Sequence, residues 1–162
     1  GWPNIPLTVV REGPLGVGTL QCFINFDPNK NYFTLREKRL EELVVVALFD
    51  LIVNNGDRKG GHFLEDITGK IWSIDHGLTF HKDFKLRTVM FEYCGSSFPK
   101  ELIDDIKNLA SQLESKDTQH KILADQISDV EIDALISRLL FIIENPEHPV
   151  LDPYIDVPWP LV

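Results

Sequence analysis

The stretch from Leu35 to Val53 constrains the fold more than any other part of the chain. Charges crowd its first two turns (Arg36, Glu37, Lys38, Arg39, Glu41, Glu42), whereas Val44 to Phe49 carries none. The total length predicts a helix, although the β-branched run Val44-Val45-Val46 would also suit a strand. A helix end that is apolar all round has to be buried on every side. The rest of the chain must therefore pack around it, and Val44–Phe49 belongs in the middle of a domain. The run stops at Asp50 and is far too short to cross a bilayer, so no transmembrane segment is expected.

Partners for that helix are legible on both sides. Leu7–Arg11 and Thr19–Phe26 read as short strands joined by a glycine- and proline-rich connector. Asn54-Asn55-Gly56 ends the helix, as such residues do at C-terminal caps. His62–Asp66 and Lys70–Ile74 read as a β-hairpin around Thr68-Gly69. Beyond Pro99 the chain turns helical, with Leu102, Ile103, Ile106, Leu109, Ala110 and Leu113 on one face. Ser128 and Glu131 match a capping box opening a last helix, whose stripe is Ile132, Leu135, Ile136, Leu139, Leu140 and Ile143. A short helix over Gln119–Gln126 sits between them. Five prolines after Asn145 predict an extended tail. The layout is α+β, divided as residues 1–34 (strands), 35–145 (main body) and 146–162 (proline-rich tail).

Sixteen basic residues against 25 acidic ones leave a net charge of -9, which argues against a nucleic-acid partner. Cys22 and Cys94 have no metal-like spacing, and both read as free thiols. The first residues show no signal-peptide pattern, so the expected compartment is cytoplasmic.

Chemistry concentrates between Asn54 and Gly77. With Thr68-Gly69 as the two turn residues, His62 would face Asp75 across the hairpin, Cβ atoms ~4.5–5.5 Å apart. The pair could then hold one metal ion beside Asp57. Asp57-Arg58-Lys59-Gly60-Gly61-His62 combines a carboxylate, two cations, flexible glycines and an imidazole. Phosphoryl transfer uses those groups: a carboxylate orients the attacking hydroxyl, cations offset charge, and metal ligands hold the phosphates. Asp50, the odd charge in an apolar helix, is expected to order the loop through hydrogen bonds.

These residues also carry a resemblance. Asn55-Gly56-Asp57-Arg58-Lys59-Gly60-Gly61-His62 resembles the catalytic loop of phosphatidylinositol 3-/4-kinase-like proteins, Gly-Asp-Arg-His-x-x-Asn, and Ile74-Asp75-His76-Gly77 resembles their Ile-Asp-Phe-Gly metal motif. The longer pattern through Trp72–His81 and Lys85–Val89 is similar to a bacterial family related to those kinases. The resemblance implies a protein-kinase-like C-lobe with a hinge, and an ATP-dependent phosphotransferase using Mg or Mn. It implies Asp57 as catalytic base, with His62 and Asp75 as metal ligands. Arg58, Lys59, Cys22 and Phe23 would lie against the nucleotide, since Thr19–Asn25 corresponds to the hinge. Lys82, Lys85 and Arg87 would meet an acceptor (lipid, protein or small molecule). Lys59 stands for the family's usual His and His62 for its Asn, a change that suits manganese better than magnesium. Residues 1–18 contain no lysine, so the resemblance covers a C-lobe plus hinge without most of an N-lobe. Two other readings remain: a nucleotide-binding pseudokinase, and a metal-dependent phosphohydrolase built on Asp57, His62, Asp75, His76 and His81.

Overall fold

A computed structural model describes residues 2–162. In chain order it contains strands β1 (Thr8–Gly13) and β2 (Gly16–Gln21), helix α1 (Tyr32–Val53), strands β3 (Phe63–Glu65) and β4 (Ile71–Ser73), and helices α2 (Lys100–Glu114), α3 (Thr118–Ala124) and α4 (Asp129–Glu144). It is a mixed α+β domain with two antiparallel two-stranded sheets, β1-β2 and β3-β4. Among the described residues no helix is long and apolar enough to cross a membrane.

Helix α1 is the axis of the domain, and its all-round apolar half has a physical reason. Leu48, Leu51, Ile52 and Val53 pack with Ile103, Ile106 and Leu113 of α2 and Leu135, Leu139 and Ile142 of α4. On the other side, Leu43, Val46 and Ala47 pack with Phe63 and Ile71 of the central hairpin and with Val89, Met90 and Tyr93. Each fully buried leucine here, such as Leu48, stabilises by about 1.5–3 kcal/mol relative to exposure. The helix starts at Tyr32 instead of Leu35, because Asn31 and Thr34 form a reciprocal capping box. It kinks at Arg39, whose backbone is non-helical. There the guanidinium reaches Glu65 and the Gly69 carbonyl, both at 2.6 Å, and fastens the hairpin to the helix.

The hairpin register differs from expectation by one residue. The observed pairs are Phe63–Ser73, Leu64–Trp72 and Glu65–Ile71, which set His62 opposite Ile74. The turn takes in Ile67 as well, because Asp66 gathers it. Its carboxylate accepts from Thr68 N (2.8 Å), Thr68 Oγ1 (2.6 Å), Lys70 N (3.1 Å) and Trp72 Nε1 (2.8 Å), and Gly69 supplies the left-handed residue (φ 85°). The hydroxyl of Thr68 and the indole of Trp72 hold the Asp66 carboxyl well below its usual range. The first two strands are also closer than expected, with Pro14-Leu15 as the turn and β2 ending at Gln21. This β1-β2 ribbon is exposed along almost its whole length.

Candidate functional site

Asn54 ends α1 in a left-handed conformation (φ 57°) and anchors the loop on either side of the site. Its side-chain amide donates to the carbonyls of His81 (2.8 Å) and Asp83 (2.7 Å) and accepts from Lys85 N (2.8 Å). From Asn55 onward the loop runs beside residues 87–89. Arg87 N donates to Asn55 O (3.0 Å), Arg58 N to Arg87 O (3.0 Å) and Val89 N to Arg58 O (3.2 Å). Under the loop, Arg58 and Asp50 form a fully buried, two-pronged ion pair, Nε to Oδ2 at 2.7 Å and Nη2 to Oδ1 at 2.9 Å. The third arm, Nη1, donates to Ile74 O at 2.9 Å, and Asn55 Nδ2 donates to Asp50 Oδ1 at 3.0 Å. One buried cation thus ties α1, the loop and the end of β4 together, and Arg58 lies beneath the site and away from its surface.

Above that floor the reactive groups converge in two pairs. Lys59 Nζ lies 3.1 Å from Asp57 Oδ2, both side chains partly exposed. His62 Nε2 lies 3.4 Å from Asp75 Oδ2. The second pair forms despite the shifted register because Asp75 has a left-handed backbone (φ 57°), which turns its carboxylate back toward His62. Burial pushes the His62 ring below its usual pKa, with the Arg58 charge adding to the effect. The neutral ring accepts from Lys59 N at Nδ1 (3.4 Å), so its proton sits on Nε2, aimed at Asp75. In that tautomer His62 supports the Asp75 carboxylate and offers no Nε2 lone pair to a metal. Among the described residues no group of three or more His, Cys, Asp or Glu is disposed to hold a metal ion.

A cleft of about 530 Å³ opens beside Asp75. One wall is Asp75-His76-Gly77 with Phe49 of α1; the facing wall is Thr8, Thr19 and Gln21 of the β1-β2 ribbon. His76 is placed by an edge-on contact with Phe49 (5.4 Å) and by Ser73 Oγ at 3.2 Å. No protein-family model matches the sequence. Protein Rv2133c of Mycobacterium tuberculosis is 30% identical over 195 aligned positions, taking in 99% of the chain and 69% of that relative. The chain belongs to the Rv2133c family.

In this Rv2133c-family chain the sequence-predicted residues separate into four groups. Asp57, Lys59, His62 and Asp75 surround the loop, with Arg58 below them. Cys22 is exposed and Phe23 is 82% exposed; neither lines the cleft, which Thr19 and Gln21 reach instead. Strand alternation explains this, since Thr8, Thr19 and Gln21 share one ribbon face. Lys82, Lys85 and Arg87 are exposed and make no ion pair among the described residues. His81 sits with Asp83 (Nδ1 to the Asp83 carbonyl, 3.2 Å) and does not join the others. Phe49 and Thr8 were not legible as cleft residues, because only tertiary packing brings them to Asp75.

The glycines serve close approach. A Cβ on Gly60 would fall 2.7 Å from the Phe33 ring, and Gly60 N donates to Leu161 O at 2.7 Å, so the tail packs on the loop. The histidines make stability depend on pH. Desolvation lowers the His76 pKa to about 4, and His148, like His62, is lowered mainly by burial. An unfolded histidine takes up its proton near the ordinary value of 6.5, whereas folded His76 does so only near 4. Stability is therefore fully present above 6.5 and falls as pH drops toward 4. Urea midpoints measured across this window should decline less in H76N than in the parent; parallel declines would contradict this.

Proposed function

We propose that this Rv2133c-family chain carries the catalytic half of an ATP-dependent phosphotransferase of the phosphatidylinositol 3-/4-kinase-related type. The observation that carries this reading is the cleft, in which Thr19 and Gln21 of the hinge-like strand face Asp75-His76-Gly77 of the metal-like motif. Asp57 stands to orient an acceptor hydroxyl and take its proton. Lys59, 3.1 Å from that carboxylate, is near enough to offset charge on a transferred group. His62 orients Asp75, whose side chain is 60% exposed. One carboxylate is a small protein share for a divalent ion, but magnesium commonly takes one or two and fills its shell from phosphates and water. The donor set fits an Mg or Mn ion that arrives with nucleotide better than a resident metal. ATP bound there would supply the phosphoryl group, with the ion offsetting its charge.

A second reading has its own observation. No lysine or arginine lines the cleft, which favours nucleotide binding without transfer, as in a pseudokinase. Both readings require the cleft to bind nucleotide. ATP with manganese should raise the unfolding temperature, by a stabilisation of about 2.7 kcal/mol at 100-fold excess over Kd. T19W, which fills the cleft from an exposed ribbon position, should abolish the shift. Absence of any shift with ATP or ADP, in manganese or magnesium, would overturn both.

A further inference from the structure

A second cavity, of about 500 Å³, opens where α1 meets α2 and α3. Asp105, Asn108 and Leu109 line it from α2, at the i, i+3, i+4 spacing of a single helix face. Phe49 of α1 and Ile122 of α3 form further walls, and Trp2 and Phe80 stand beside them. The volume is in the range of small-ligand sites. The cavity meets the cleft at Phe49, Val53 and Phe80 but shares none of its polar residues.

One carboxylate and three aromatic rings set the chemistry. Trp2 Nε1 donates to Asp105 Oδ2 at 2.9 Å, which holds the indole against the acid. A neutral N–H leaves the carboxylate's charge uncompensated, and Asp105 forms no ion pair among the described residues. No lysine, arginine or histidine lines the cavity. An anionic ligand would therefore meet repulsion alone, whereas a cation is drawn both to the carboxylate and to the indole face. The net charge of -9 adds attraction at longer range. Phe80 supplies a second, independent pointer. Its backbone is left-handed (φ 66°), a costly conformation for a bulky residue. Phe80 N donates to Val53 O at 2.6 Å and Thr79 Oγ1 to His76 O at 3.0 Å, which fix the residue there. Backbone strain of this kind collects at ligand sites.

We propose that this cavity binds an arylalkyl ammonium ion. Its charged head rests on Asp105 and the Trp2 indole, and its ring lies among Phe49, Phe80 and Ile122, where aromatic pairs gain beyond their buried area. The proposal is independent of the nucleotide reading, because none of the cleft's polar groups takes part.

Titration calorimetry with phenethylammonium and with 2-phenylethanol, which carry the same body on a charged and a neutral head, tests it. Saturable one-to-one binding of the ammonium is expected, at least about tenfold tighter than the alcohol. D105N keeps an oxygen for the Trp2 indole, so it should bring the ammonium down to the level of the alcohol and leave the alcohol unchanged. N108W, which fills the cavity from an exposed position of α2, should block both. Equal binding of the two ligands to the parent protein would overturn the proposal. So would ammonium binding unchanged in either variant, or no saturable binding at all.

Discussion

Replacing Arg58 with methionine is expected to cost about 3–5 kcal/mol of folding stability, the usual penalty for stranding one charge of a buried pair. Asp50 is 1% exposed and Arg58 is wholly buried. Without the guanidinium, the Asp50 carboxylate keeps only Asn55 as a side-chain donor. The Ile74 carbonyl loses its Nη1 donor as well, so the loop comes loose from the hairpin as the core is destabilised. Urea unfolding should show a much lower midpoint for R58M. The double variant D50L/R58M should recover most of the loss, since removing both charges leaves no buried ion uncompensated. A single variant within about 1 kcal/mol of the parent, as is common for surface pairs, would mean that the pair does not organise the loop.

Asp57 and Asp75 should fail in different ways when altered. D57A is expected to lower phosphoryl transfer by about 10²–10⁴-fold, the usual contribution of a positioned acid or base, while ATP with manganese still raises the unfolding temperature. D75A should abolish both transfer and the metal-dependent part of that shift, because Asp75 is the exposed carboxylate on the cleft wall. Transfer to water or a model acceptor, measured beside melting curves, separates the two. Turnover retained in either variant would sink the assignment. Binding intact in the parent with no transfer at all would favour the pseudokinase reading.

Much of the fold was readable in the residues, for identifiable reasons. The capping box at Ser128 and the Asn54 stop are local signals, whereas the Asn31 box went unread and starts α1 three residues earlier than the periodicity suggested. The role of Asp50 followed from its being a lone charge in an apolar helix, which leaves a buried carboxylate needing partners. The register of the central hairpin was not readable. It depends on how many donors Asp66 collects, and that is settled only when Trp72 folds over it. His62 and Asp75 meet anyway, through a left-handed backbone at Asp75 that no pattern of hydrophobic residues announces.

The exposed β1-β2 ribbon gives the cleft two unlike walls. The Asp75 wall is anchored through Arg58 to the core, whereas the ribbon's two strands bury almost nothing of themselves. Amide hydrogens between Thr8 and Gln21 should therefore exchange with solvent much sooner than those of α1. A ligand that spans the cleft has to recruit the ribbon, and part of its binding energy goes into quieting that wall. Occupancy would then be read most directly as slowed exchange at Thr8, Thr19 and Gln21, with the loop from Asn55 to His62 scarcely changing.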